Sequence, residues 1–191
     1  MMNWKTIFNP FGRFDERILL CVGILFFIVL IPLCFWTGTY FSSIFRLAHP
    51  QNIDVKNIIL HNVISFVSAI LVLYGLGLLF YRKTRIIDIA NTVLLSQIPL
   101  IIILPLEKVF YIKKVGERVV AYQNHPTGAF PFFDFIVMIF IILITLGALI
   151  YSFILLYNGF RTAANIKKWQ QITIFCLVSF LTILICQTFN N

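Results

Sequence analysis

The sequence predicts an all-α, polytopic membrane protein with five transmembrane helices, its N-terminus cytoplasmic and its C-terminus on the opposite side. Three observations carry that expectation. Of the 191 residues, 60% are hydrophobic and 12% charged, whereas soluble domains carry roughly 45–50% apolar and about 25% charged residues. The mean hydropathy is +0.95. The apolar residues gather into runs of the ~20 residues that cross a hydrocarbon core of ~30 Å, and Lys and Arg fall in the connections between them.

Residues 1–17 read as a cytoplasmic interfacial leader, and no secretory signal is expected in them. Trp4, Phe8, Phe11 and Phe14 recur at roughly helical intervals, with Lys5, Arg13 and Arg17 between. That pattern suits a segment lying in the headgroup layer, and Pro10 divides it into two short turns. Residues 18–189 form the membrane domain.

The first span is 18–37, with Pro32 near its far end. A loop follows, in which Tyr40, Phe41 and Phe45 are expected as aromatic interface anchors and His49-Pro50 as a turn. The second span, 58–80, is closed off by Arg82, Lys83 and Arg85. The third, 86–106, holds Pro99 and Pro105 in its second half, so a kink or early end is expected there. In the long connection 107–130, β-branched and aromatic residues flank Val115-Gly116 and suggest a short β-hairpin. The fourth span is 132–157. A basic loop from Asn158 to Trp169 leads into the fifth, 171–189.

Orientation follows from the basic residues. Nine Lys and Arg fall on the N-terminal side and six in the longer loops of the other side, and the denser side is expected to be cytoplasmic. The net charge of +8 is scattered between spans, which argues against nucleic acid and for headgroup contacts. The four cysteines lie inside spans at spacings that match no zinc or redox motif. No metal site, cofactor or catalytic constellation is expected.

The sharpest polar feature lies in the third span. At 100° per residue, Asp88, Asn91, Thr92 and Ser96 share one stripe, with Gln97 on the opposite face. An ionisable residue in a span is a candidate site, since lipid exposure costs about 2.5–3.5 kcal/mol on translocon scales. The alternative reading makes Asp88 a helix-start residue, favoured by the positive end of the helix dipole and paired with Arg85 three residues back. Asp134 at the start of the fourth span reads as a helix-start residue too. Small residues line two further faces, Ser65–Ala69–Gly75 in the second span and Thr145–Ala148–Ser152–Gly159 along the fourth, where helices can approach closely.

Two motifs resemble the bacterial branch of the Yip1 domain family. One is the leader, with Asn9-Pro10, then Phe14, then Ile18-Leu19. The other is the aromatic–glycine–basic stretch before the last span, with Gly159, Phe160 and Arg161 at the matching positions. The resemblance implies a five-span fold and a short cytoplasmic leader. The Asp-Leu-(Tyr/Trp)-Gly-Pro signature of the eukaryotic branch, which contacts Rab-type GTPases, has no counterpart in this sequence.

The expectation is therefore a non-enzymatic, multi-pass scaffold or adaptor of a bacterial cytoplasmic membrane. Its expected contacts with partners or headgroups are Trp4, Arg82, Lys83, Arg85, Gly159, Phe160, Arg161, Lys167 and Lys168. Expected partners are membrane lipids and a membrane or cytoplasmic protein or a second copy of the chain. The alternative is a small-molecule, ion or lipid transporter using the polar stripe of the third span.

Overall fold

A computed structural model describes residues 7–49, 54–109, 112–124 and 130–189, and the chain is mostly helical. Trp4, Lys5 and Pro50 lie outside the described residues. After a 3-10 turn at Pro10–Gly12, helix α1 runs over Glu16–Thr37. Asp15 starts it, its carboxylate accepting from the Arg17 amide at 3.3 Å, one of the donors a helix N-terminus leaves without a partner. Gly38 ends it at φ 69°, a left-handed position that glycine adopts without steric cost.

The segment expected as an interfacial loop folds as an antiparallel hairpin, β1 Tyr40–Ser43 and β2 Arg46–Ala48. This corrects the reading of its aromatic residues as interface anchors. Tyr40 and Phe41 are buried, and the Phe41 amide donates to Asn62 Oδ1 at 2.9 Å. Phe45 stacks on Phe153 with centroids 4.4 Å apart. The hairpin therefore plugs one end of the helix bundle.

Helix α2 covers Val55–Phe80, and a turn leads to α3 at Ile86–Ser96. Thr84 ties this turn down: it is buried, and its hydroxyl lies 2.7 Å from Tyr81 O, 3.1 Å from Gly77 O and 3.4 Å from Ala163 O. The third span then breaks as Pro99 predicts. A 3-10 segment at Ile98–Ile102 separates α3 from α4, Ile103–Val109.

The hairpin expected around Val115-Gly116 is absent. Residues Ile112–Asn124 form helix α5 instead. Ile112, Val115, Val119 and Tyr122 sit on the more buried side while Lys114, Glu117 and Arg118 are exposed, so helical spacing of the apolar residues overrides the local β preference of valine. Helix α6, Phe132–Ala163, extends beyond the expected end at Tyr157, and α7 spans Trp169–Phe189.

Helix α3 is the centre of the bundle, packed against α1, α2 and α6, while α7 lies against α2 and β1. Of the third span's central window 67% is buried, against 28%, 33% and 22% for the other three long spans. Leu30, Leu73, Ile89, Val93, Leu156 and Phe160 form the fully buried core, and Phe160 stacks on Phe175 at 4.6 Å. Outward-facing Leu25, Ile28, Leu71, Leu143 and Phe180 are all more than half exposed, a density of bare apolar surface that water does not tolerate. Four helices are long and apolar enough to cross a membrane: Glu16–Thr37, Val55–Phe80, Ile86–Leu106 and Phe132–Ala163.

Candidate functional site

The bundle has a leader end and a hairpin end, and the polar chemistry concentrates at the first. The leader keeps Phe8 and Phe14 exposed, at 40% and 47%, while Phe11 turns inward. It is gripped by α6: the Tyr151 hydroxyl donates to Ile7 O at 2.9 Å and Asn158 Nδ2 to Phe8 O at 2.8 Å. The Phe8 ring meets Tyr151 edge-on with centroids 5.8 Å apart.

Phe11 turns inward onto Gly159. A Cβ at Gly159 would come within 2.5 Å of Thr92 Oγ1 and 2.9 Å of Phe11 Cε2, so the absent side chain is what lets leader, α3 and α6 meet. This explains why Asn158-Gly159, expected at the start of a basic loop, stays helical. Asn158 spends its amide on the leader, and Gly159 is held by close packing.

Between these elements opens a cleft of about 350 Å³, bounded by Phe11, Phe14, Glu16, Arg85, Asp88 and Asn91, with Asp15, Leu19, Gly159, Thr162 and Ala163 completing the wall. The expected Arg85–Asp88 pair does not form. Arg85 reaches across to α1 instead, its Nη1 3.0 and 3.2 Å from the two carboxylate oxygens of Glu16. Arg85 precedes the first turn of α3, and from there its guanidinium spans to Glu16 at the start of α1. Among the described residues, no side chain donates a hydrogen bond to the Asp88 carboxylate.

The predicted stripe divides by depth. Asp88 and Asn91 line the cleft. Asn91 Nδ2 donates to Glu16 O at 2.9 Å, while its Oδ1 is buried without a hydrogen-bond partner. Thr92 and Ser96 are buried, and each returns its hydroxyl proton to its own helix, to Asp88 O at 2.7 Å and Val93 O at 2.8 Å, the usual local solution for such residues inside helices. They serve packing. Gln97, expected on the opposite face, is buried as well and donates to Ser96 Oγ at 3.0 Å. An enclosed helix has no free face, so the stripe does not separate Gln97 from the rest.

The basic segments also gather at the leader end, where α2 hands over to α3 and α6 to α7. Arg82, Lys83, Arg161, Lys167 and Lys168 are exposed there. Gly159 and Phe160 are not available as surface contacts. Both are buried, because the helix carries them into the core against α3 and α7. The small-residue faces are partly as expected: Ser65, Ala69 and Ser152 are buried, but Gly75 is exposed. Its neighbour Gly77 makes the close approach, with Thr84 Cγ2 2.9 Å from where a Cβ would stand.

At the hairpin end, Asp134 in the first turn of α6 is held by Arg118 of α5 at 2.5 and 2.6 Å, and Lys108 lies over the Trp36 ring, 5.2 Å from its centroid. Among the described residues, no group of three or more His, Cys, Asp and Glu side chains is placed to hold a metal ion. Glu16, Tyr151, Asn158 and Thr84, which build the site, stood in sequence as a leader charge, a span aromatic, a loop residue and a turn residue. Only their partners distinguish them. Compared with family models, with curated proteins and with solved structures, the chain has no match.

Proposed function

We propose that this chain is a non-enzymatic, multi-pass scaffold or adaptor of a bacterial cytoplasmic membrane, allied to the Yip1 domain family. In this reading α7 is the fifth span, the leader end faces the cytoplasm and the C-terminus lies outside. The observation that carries the reading is the exposure of Arg82, Lys83, Arg161, Lys167 and Lys168 at the same end as the docked leader. Clustered Lys and Arg beside spans favour the anionic leaflet by about 1 kcal/mol each, and long exposed cations are suited to steering an acidic partner.

The test is recovery of partners from native membranes by a tagged full-length chain. Replacing Arg82, Lys83, Arg161, Lys167 and Lys168 together by alanine should remove a stoichiometric protein partner. An unchanged set of co-purifying proteins would exclude the adaptor role.

A transporter reading is favoured by one separate observation. The third span is broken in its buried stretch, where Gln97 Oε1 has no hydrogen-bond partner, and Ser152 Oγ on α6 has none either. Interrupted helices with free polar atoms line the sites of transporters. Liposomes holding the protein should then pass a solute or proton more slowly when Gln97 is changed to Leu. Equal flux in both would remove this reading.

A further inference from the structure

Away from the leader-end cleft, a second cavity of about 310 Å³ lies beside the hairpin, walled by β1, β2, the 3-10 break, α4, α5 and α6. Eight of its ten lining residues are apolar, Phe41, Leu100, Ile103 and Ile141 among them, and the other two are Arg46 and Thr145. A bound water needs about 2–4 polar partners, and two polar side chains cannot satisfy the several waters this volume would hold. An apolar cavity of about 150 Å³ stays dry and takes up benzene. At roughly twice that size, this one suits a single chain of about a dozen carbons.

Both polar residues are uncommitted. Arg85 and Arg118 each hold a carboxylate, but among the described residues the Arg46 guanidinium makes no ion pair or hydrogen bond. Arg46 bonds through its backbone, in the hairpin ladder and to Ser42 Oγ at 3.4 Å. Thr145 departs from the other helical threonines. Thr37, Thr92, Thr162, Thr173 and Thr182 each donate the hydroxyl to a carbonyl of their own helix, the usual local solution. The Thr145 hydroxyl has no hydrogen bond among the described residues.

Position adds to the argument. Thr145 stands thirteen residues after Phe132 on α6, about 20 Å along the helix at 1.5 Å per residue. A cation lining a cavity that reaches such a depth is costly in a membrane unless an anion pairs with it. No carboxylate lines this cavity, so the charge it presents is positive.

We propose that this cavity binds a single-chain fatty carboxylate, with its chain among the apolar residues, Arg46 as counter-ion and Thr145 as a second donor. A guanidinium suits a carboxylate because its parallel N–H groups match the two oxygens. The volume fits one chain, which favours a free carboxylate over a two-chain phospholipid of the bilayer. The proposal rests on neither the adaptor nor the transporter reading, since it uses none of their residues.

The test uses the full-length chain in phosphatidylcholine nanodiscs and dodecanoate carrying a diazirine at its far end. After illumination, label should saturate with dose and map to the cavity wall at Leu100, Ile103 and Ile141. Unlabelled dodecanoate should displace it, whereas dodecanol and dodecyltrimethylammonium should not. Arg46→Gln should weaken the apparent affinity about tenfold or more, the worth of one hydrogen bond to a charged group. Arg46→Lys keeps the charge and should retain most of the labelling, and Thr145→Val should give a smaller, severalfold loss. Lys56→Gln, the same loss of charge at the hairpin end, should leave the labelling unchanged.

The comparison of dodecanoate with dodecanol uses the wild-type chain, so it decides even where Arg46→Gln fails to fold. Equal displacement by dodecanol, wild-type affinity in a folded Arg46→Gln, or label confined to outward-facing Leu25, Leu71 and Phe180 overturns the proposal. A phospholipid that native mass spectrometry finds retained and dodecanoate cannot displace overturns it too, and names the bilayer as the source of the occupant.

Discussion

Single residues decide whether the elements of this protein can come together, and Gly159 is the plainest case. A methyl group there meets Thr92 on one side and Phe11 on the other, with no flexible end that can swing away. Gly159→Ala should cost about 1–3 kcal/mol, the range for overpacked cores, and lower the melting temperature in detergent by several degrees. Adding Thr92→Ala should recover part of that loss. Additive destabilisation in the double variant would mean that the two positions do not share the space described. Asn62 is the corresponding residue at the other end. Its Oδ1 is the acceptor for the buried Phe41 amide, so Asn62→Ala should cost about 1–3 kcal/mol, and hydrogen exchange at the Phe41 amide should speed up measurably. Neither role could be read in sequence. Gly159 stood in the expected basic loop from Asn158 to Trp169, and Asn62 was one polar residue within the expected second span.

At the scale of elements, legibility followed the range of the forces involved. The long apolar helices were legible because hydrophobic burial acts over twenty residues at a time: four are long and apolar enough to cross a membrane, although the one expected to end at Tyr157 runs on to Ala163. The break of the third span was legible as well, since Pro99 forbids the continuing helical hydrogen bond whatever surrounds it. Short elements were misjudged in both directions. Residues 40–48 carry no glycine at their turn, so the hairpin had no local signal, while Val115-Gly116 offered a turn signal that the helical spacing of Ile112, Val115 and Val119 outweighs. The leader is the element whose attachment can be tested most directly. Tyr151→Phe with Asn158→Ala removes the two described side-chain donors to the Ile7 and Phe8 carbonyls. Trypsin should then cut after Arg13 severalfold faster, with the remaining helices still protected. An unchanged cleavage rate would show that these two hydrogen bonds do not hold the leader in place.

For the whole molecule, the two motifs on which the Yip1 resemblance rests prove to be neighbours. The leader around Asn9-Pro10 and the stretch around Gly159 touch through Phe8, Phe11, Asn158 and Gly159, although they lie at opposite ends of the chain. Sequence separates them, and only closure of the bundle unites them. That closure also sets the ends apart. With Arg82, Lys83 and Lys167 at the leader end and Lys56 and Glu117 at the hairpin end, single cysteines at Lys83 and Lys167 should react with a membrane-impermeant maleimide from one side. Cysteines at Lys56 and Glu117 should react from the other. Labelling of all four from one side would exclude the proposed crossing pattern.

The hold of α6 on the leader also imposes an order in time. The carbonyls of Ile7 and Phe8 leave the ribosome well before their donors, which lie 144 and 150 positions later in the chain. At synthesis rates of about 5–20 residues per second, the leader waits on the order of 10–30 s for its partners. Glu16 meets Arg85 after 69 positions, so the cleft acquires its floor well before its leader wall. A nascent chain stalled before Tyr151 would display bare leader carbonyls and an open groove. Completion of the cleft is thus a local sign that the chain has been made at least as far as Gly159 and has closed on itself.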